Sequence, residues 1–289
     1  MKKSAVIDWS LILAIGVAWG SSFMFIKVSA PAVGPINLVF YRLFIASLIL
    51  APIFIKREHL QNIKDDLLPI LFLSFFNAAI PFYLFSKAAL DLNAGTMSVL
   101  NGTTPLFSFI IATLWLKLSS NWIQLVGIFI GMIGLIVFVG YESIEFSLLA
   151  IILCLLASFL YAFSSNFIFK TKEIEPTYLA SITLLIATII TFPFVLFGNG
   201  IDLNQPKEVL LSVGLLGSLC TGLAYMCFVV LIKRVGPIKA STVVLIVPVT
   251  GMLWANIFLN ELITLTMISG CILILAGVGL VNFFKNEET

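Results

Sequence analysis

Polar side chains recur inside stretches of this sequence that are otherwise apolar, and almost all of them are amides, hydroxyls or ring groups. Such groups exchange hydrogen bonds, and none is a strong acid, base or metal ligand at neutral pH. Because an unpaired amide is costly in an apolar medium, we expect them to face one another or a wet cavity. We predict that eleven of them contact a small solute: Trp19, Ser22, Asn77, Tyr83, Asn101, Tyr161, Ser165, Asn166, Tyr225, Thr242 and Asn256. For each asparagine, a hydrogen bond between helices is the alternative role.

The sequence lacks the common motifs of enzyme chemistry. It contains no G-x-x-x-x-G-K-[ST] phosphate loop, so ATP hydrolysis is not intrinsic, and neither G-x-S-x-G nor H-E-x-x-H occurs. The single histidine, His59, lies in a charged segment without a partner ligand. The four cysteines lie in apolar runs without C-x-x-C spacing and are interpreted as packing residues. We therefore expect a protein that is not an enzyme, with no catalytic residue, metal site, cofactor or nucleic-acid partner.

The composition is that of a membrane protein. Of 289 residues, 61% are hydrophobic and 10% are charged, whereas a soluble domain has roughly 25% charged residues. A helix that crosses a bilayer needs about twenty mainly apolar residues. Ten such runs occur, at residues 9–28, 36–55, 67–90, 94–116, 122–140, 147–169, 177–197, 209–232, 240–259 and 264–284. They predict an all-α polytopic protein with ten transmembrane helices in a lipid bilayer.

Lysine and arginine predict how these helices are oriented, because they accumulate in cytoplasmic loops. With the N-terminus in the cytoplasm, twelve basic residues outside or at the ends of the runs lie on that side, and the loops of the other side contain only Lys207. An even number of helices brings the C-terminus back to the same side. We therefore predict a multi-pass protein of the plasma (inner) membrane with both termini in the cytoplasm.

The two halves of the chain are related by a weak internal repeat. Pro248 lies 143 residues after Pro105, and the same offset pairs Gly127 with Gly270. The repeat predicts two five-helix units, residues 1–143 and 144–289. Because five is odd, the second unit is inverted relative to the first, which is the arrangement of many secondary transporters.

Each repeat has one proline within a long apolar run, Pro105 in the first and Pro248 in the second. A proline removes a backbone hydrogen bond and kinks or opens a helix. Matched, interrupted helices in two halves indicate a central binding site. We therefore predict that both prolines mark kinks with a role in gating.

Three charged residues are possible charge sites: Lys27, Arg42 and Glu261. Lys27 and Arg42 fall within a turn or two of the outer surface, where long basic side chains can reach the lipid headgroups. Alternatively, they line an outward vestibule and attract the carboxylate or phosphate of a solute. No Asp or Glu falls at the middle of a run, so the sequence does not support proton coupling through a buried carboxylate.

Several of these residues together resemble the drug/metabolite transporter superfamily, in its ten-helix EamA-type branch. The resemblance covers essentially the whole chain. It is carried by Trp19, Gly20, Lys27, Arg42, Pro105, Gly127, Gly134, Pro248, Glu261, Gly270 and Gly277. It implies an exporter of drugs or metabolites, with amino acids or their relatives as typical cargo. The family commonly has a glutamate after the proline-bearing helix of each half, but here the position that corresponds to Glu261 is Leu118.

Three functions follow from these observations. The first is a secondary transporter that exports an amino-acid-like or amphipathic solute by alternating access through a central cavity. The second is an anion exchanger for phosphorylated or nucleotide-like solutes, with Lys27 and Arg42 as the binding cations. The third is a membrane scaffold that does not transport, which would have no solvated cavity.

Overall fold

The computed structural model describes residues 2–54, 63–117, 121–143, 147–170, 174–197, 200, 204–235, 240 and 243–283. Within these residues the chain forms ten helical rods, α1 to α10, in chain order. They are α1 Lys2–Val33, α2 Pro35–Phe54, α3 with α-helical parts Ile63–Leu73 and Ile80–Ala88, α4 with parts Ala94–Asn101 and Thr104–Trp115, α5 Trp122–Ser143, α6 Leu148–Lys170, α7 Pro176–Leu196, α8 with parts Lys207–Leu215 and Ala224–Val235, α9 Val243–Leu259 and α10 Leu265–Phe283.

The predicted all-α polytopic fold is confirmed, and no strand occurs in the part of the chain that the structure describes. Seven rods are long and apolar enough to cross a membrane. Three shorter apolar helices accompany them: Trp122–Phe138, Val243–Leu259 and Leu265–Val281. Helices form because hydrocarbon offers no partner for a backbone N–H or C=O group, so each segment must satisfy its own.

Two rods contain a π-helical turn at corresponding places in the two halves. In α3 the turn spans Ser74–Ala79, and in α8 it spans Leu216–Leu223. The first turn begins 142 residues before the second, close to the offset of the sequence repeat. A π-helical turn widens the helix and is frequent at functional sites. The residue pattern of the chain did not predict either turn.

The two prolines affect their helices differently. In α4 the helix ends at Asn101 and starts again at Thr104, so that Pro105 lies in the first turn of the second part. This interruption agrees with the prediction. Pro248, in contrast, lies inside the continuous helix Val243–Leu259. The expected interruption is therefore absent in the second half, where α9 continues through its proline, whereas a kink with a role in gating at Pro105 and Pro248 stays a prediction.

Small residues bring the helices of the two halves into close contact. The backbones of α5 and α10 meet at Gly127, Gly131 and Gly277, and a Cβ atom on Gly277 would collide with the backbone of the other two. Gly20 of α1 likewise lies against Thr250 of α9. The G-x-x-x-G spacings of the sequence therefore serve packing inside the bundle, which is how helices associate where lipid provides no hydrophobic drive.

Candidate functional site

A cavity lies between the two halves of the bundle, with walls from α1, α2, α3, α4, α6, α8 and α9. The centres of water molecules inside it can occupy a volume of about 70 Å³. Seven of the predicted solute-contacting residues line it: Trp19, Ser22, Asn77, Asn101, Tyr161, Ser165 and Tyr225. The structure thus brings together polar side chains that lie far apart in the sequence and belong to both repeats.

Three of the predicted residues that the structure describes are not among those that line this cavity. Tyr83 is exposed on the outside of α3. Asn166 is buried beside the cavity and donates hydrogen bonds to the Ser108 hydroxyl (3.0 Å) and to the Ala162 carbonyl (2.9 Å). Asn256 is exposed, and its amide donates to the Glu261 carbonyl at 2.9 Å. Thr242 lies outside the described residues.

Most of the remaining wall is apolar, and sequence reasoning did not identify it. The aromatic part consists of Phe23, Phe82, Phe85 and Phe228, and the other unpredicted wall residues are Ile26, Thr104, Ser108, Cys220, Thr221 and Val244. The only sign of this wall in the sequence was the abundance of phenylalanine. In a membrane protein that abundance does not distinguish a cavity wall from a surface that faces lipid. An apolar cavity with a few polar anchors is the usual form of a site for a small organic molecule.

Trp19 connects the first helix to the π-helical turn of α8. Its indole N–H donates to the Cys220 carbonyl at 3.0 Å, and its ring meets that of Phe228 edge-on at 4.6 Å between centroids. The nearby Ser22 hydroxyl donates to the Trp19 carbonyl. Trp19 is therefore held in one orientation by both a hydrogen bond and a ring contact, with part of its ring left to the cavity.

Asn77 and Tyr161 complete the polar and aromatic walls on the other side. The Asn77 amide donates to the phenolic oxygen of Tyr225 at 2.9 Å. The ring of Tyr161 stacks on that of Phe85, with centroids 6.0 Å apart and an interplanar angle of 20°. Each of these contacts joins a residue of the first repeat to one of the second.

Arg42 lies in the wall of the cavity and not at the lipid headgroups. Only 6% of the residue is exposed, so the expectation that it extends to the surface is wrong. The rotation of α2 points the side chain inward, where its Nε donates to the Thr221 hydroxyl. The guanidinium carbon lies 3.6 Å from the centroid of the Phe82 ring, a cation–π contact. Among the described residues no carboxylate forms an ion pair with Arg42.

Lys27 and Glu261 are bound to helix ends. The Lys27 ammonium donates to the Ala89 carbonyl at 2.9 Å, next to the last residue of α3, and Lys27 does not line the cavity. The Glu261 carboxylate accepts from the backbone N–H groups of Ala94 (2.9 Å) and Gly95 (3.0 Å) at the start of α4. Cations at helix C-termini and anions at N-termini are both favourable. Leu118, which the sequence repeat pairs with Glu261, lies outside the described residues.

The arrangement offers mainly groups that bind. Among the residues described there, the wall has one guanidinium, two amides, several hydroxyls and the Cys220 thiol, and no carboxylate or histidine. In the described part of the chain no three His, Cys, Asp or Glu side chains are placed to hold a metal ion. The described wall can hold a small molecule among aromatic and aliphatic side chains, beside the positive charge of Arg42.

A family model of known proteins matches the chain twice, over residues 9–140 and 148–283, and its description is the EamA-like transporter family. The chain belongs to the EamA-like transporter family. The resemblance to the ten-helix EamA-type branch is thereby confirmed, and this EamA-like transporter is a multi-pass membrane protein. The exact division into residues 1–143 and 144–289 and the cytoplasmic position of the termini stay predictions.

Relatives of this EamA-like transporter have names that describe transporters. Each of the two reported next aligns with this chain over nearly its whole length. An "uncharacterized transporter" of Archaeoglobus fulgidus is 26% identical over 277 residues, 94% of this chain and 97% of that protein. A "probable amino-acid metabolite efflux pump" of Salmonella typhimurium is 25% identical over 287 residues, 94% of this chain and 93% of that protein. A crystal structure with 12% identity superposes with a TM-score of 0.69 over 96% of this chain and 97% of the other, which supports the fold.

Proposed function

We propose that this EamA-like transporter is a secondary carrier that moves a small organic solute through the central cavity by alternating access. The observation that carries the proposal is the cavity itself, whose apolar walls hold polar side chains from both repeats. An inverted repeat places its site where the two units meet, so that rocking of one against the other exposes the site to each side in turn.

The helices around the cavity have irregular turns that would let the binding site change shape. The π-helical turns of α3 and α8 contribute Asn77, Cys220 and Thr221 to its wall, and the interruption of α4 contributes Asn101 and Thr104. Helix irregularities at membrane depth are tolerated where they are buried in protein or line a water-filled cavity. They also supply places where a helix can bend without breaking its remaining hydrogen bonds.

We propose that the cargo is a small amphipathic or amino-acid-like solute and that it is exported. The space of about 70 Å³ for water centres is several times the roughly 10–15 Å³ that one water needs, so a small solute can enter. The relative named as a probable amino-acid metabolite efflux pump supports both the class and the direction. The location in the plasma membrane and the cytoplasmic termini are part of the same proposal.

One of the other functions keeps partial support. An anion exchanger that uses Lys27 and Arg42 is favoured by the burial of Arg42 in the cavity wall, but Lys27 donates to a backbone carbonyl elsewhere. A second cation for a phosphorylated solute is therefore missing from the wall as described.

A scaffold that does not transport predicts a bundle without a cavity, so the wall of polar anchors speaks against it.

Counterflow in proteoliposomes tests the proposal. The purified protein is first screened against metabolites for thermal stabilisation, and each hit is then followed as labelled solute that exchanges across the liposome membrane. We expect saturable flux without ATP, and a loss of about tenfold in Tyr161→Ala, which removes a ring from the wall. The matched control is Tyr83→Ala, an exposed tyrosine of α3, which should leave flux unchanged. Absence of flux for every stabilising solute would refute the carrier.

A further inference from the structure

Arg42 places a permanent positive charge in the cavity wall, with no acidic partner in the part of the chain that the structure describes. No Asp or Glu is among the described residues of the wall, and the described hydrogen bonds of Arg42 account for its Nε alone, through the Thr221 hydroxyl. The Phe82 ring covers one face of the guanidinium. The edge formed by the two terminal nitrogens is therefore left without a described hydrogen-bond acceptor.

Such an arrangement is costly for a protein at membrane depth. A guanidinium does not lose its proton under physiological conditions, and a buried charge without a counter-ion destabilises the fold. A hydroxyl and a ring face compensate the charge only in part. An anion that enters the cavity would complete the compensation, because the planar edge of arginine matches the two oxygens of a carboxylate.

We propose that Arg42 selects the cargo by charge, so that the cavity takes an organic monoanion: one carboxylate on an aromatic or branched apolar body. This inference rests on the proposed function, because it names the cargo of the same cavity. The carboxylate binds the terminal nitrogens of Arg42, and the apolar body lies against the aromatic wall that includes Phe23, Phe85 and Tyr161.

The net charge of the occupied site distinguishes a monoanion from a zwitterion and from a phosphate dianion. One guanidinium and one carboxylate leave the enclosed site neutral. A zwitterionic amino acid adds an ammonium group, for which no carboxylate is described on the wall. A phosphate dianion needs a second cation, and the Lys27 ammonium is bound to the Ala89 carbonyl instead. In a medium of low dielectric constant each unpaired charge weakens binding.

A purely structural role for Arg42 makes a different prediction. Its side chain touches α3 through Phe82 and α8 through Thr221, so it could serve only to hold three helices together. In that case its replacement would lower stability, and the wild-type protein would not distinguish small molecules by the charge of their head group.

The test uses four molecules with the same phenyl body and different head groups. Phenylacetate is a monoanion, phenylalanine a zwitterion, phenethylamine a cation and phenyl phosphate a dianion. Binding to the purified full-length protein is measured by thermal shift, and transport by counterflow in proteoliposomes. We expect phenylacetate to bind at least about tenfold more tightly than the other three. Arg42→Gln should abolish this preference, and Arg42→Lys should retain part of it because the charge stays while the planar edge is lost.

Lys27→Gln is the matched control, since Lys27 is also a basic residue near the outer end of a helix but lies off the cavity wall. It should keep the preference for phenylacetate. Equal or tighter binding of another head group by the wild type, or no binding of any of the four, would overturn the inference; this comparison holds even if the Arg42 variants fail to fold.

The two proposals fail in different ways. Binding of phenylacetate that depends on Arg42, without flux, would keep the anion site and refute the carrier. Flux of phenylalanine that is insensitive to Arg42→Gln would keep the carrier and refute the anion site.

Discussion

The amide of Asn77 donates a hydrogen bond of 2.9 Å to the phenolic oxygen of Tyr225, and this single contact joins the irregular parts of α3 and α8. Asn77 lies inside the π-helical turn of α3, and Tyr225 follows the π-helical turn of α8 by two residues. Both side chains are buried and both line the cavity. The two repeats are therefore connected at the place where a solute would bind.

The first prediction concerns this hydrogen bond. Asn77→Leu and Tyr225→Phe should each lower the free energy of unfolding by about 1 kcal/mol, because each removes this buried hydrogen bond. The double variant should lose less than the sum of the two, which a double-mutant cycle on thermal or denaturant unfolding would measure. Tyr83→Phe removes an exposed hydroxyl and should change stability by less than about 0.5 kcal/mol. Strict additivity would show that the two side chains are not coupled.

The second prediction concerns Glu261, which caps the first part of α4. Glu261→Gln keeps the shape but removes the charge that interacts with the helix N-terminus, and should lower stability by about 0.3–1 kcal/mol. Glu261→Ala should cost more, since two backbone N–H groups lose their acceptor. Glu208→Gln is the control, because Glu208 is an exposed acid in the first turn of α8. Equal losses in Glu208→Gln and Glu261→Gln would argue against a specific cap.

The third prediction concerns the contact between α5 and α10. Gly277→Ala places a methyl group against the backbone of Gly127 and Gly131, and should destabilise the protein by about 1–3 kcal/mol. Gly214→Ala is the control, since a Cβ there meets nothing within 4 Å. Replacement of glycine by alanine at such an open helical position should be neutral or stabilising by up to about 1 kcal/mol. Melting temperatures of the two variants in the same detergent provide the comparison.

The fourth prediction concerns access of water to the cavity. In a background without native cysteines, a cysteine in place of Asn101 should react with a small water-soluble thiol reagent, because Asn101 lines the cavity. A cysteine in place of Asn166 should react much more slowly, since Asn166 is buried behind the wall. A solute found by the thermal screen should protect the first position. Equal, slow reaction at both positions would support a dry bundle.

The sequence predicted the helical segments better than the direction in which their residues point. Phe82 contacts Arg42 in the cavity, whereas Tyr83, one residue later, is exposed. Successive residues of a helix differ by about 100° in direction, so a correct span boundary says nothing about which of the two faces inward. Arg42 illustrates the same limit, because its position near the end of a run fits both a headgroup contact and a cavity wall.

Other features depend on packing between distant parts of the chain. The π-helical turns at Ser74–Ala79 and Leu216–Leu223 have no characteristic residue type. The different behaviour of Pro105 and Pro248 also could not be deduced from matching residue types, since the surroundings decide whether a proline opens a helix. Seven polar residues of the wall were predicted because a buried amide, phenol or indole N–H needs a partner wherever it lies.

The break in α4 has a consequence for the kinetics of any cycle of motion. The chain ends one helical piece at Asn101 and begins another at Thr104, while α9, its partner by the sequence repeat, runs from Val243 to Leu259 as one continuous helix. A short segment can swing about such a joint while the rest of α4 stays still, whereas α9 has no break of this kind in its helix. The openings toward the two aqueous compartments would then cross barriers of different height, so that uptake and release proceed at unequal speeds although a sequence repeat relates the two halves.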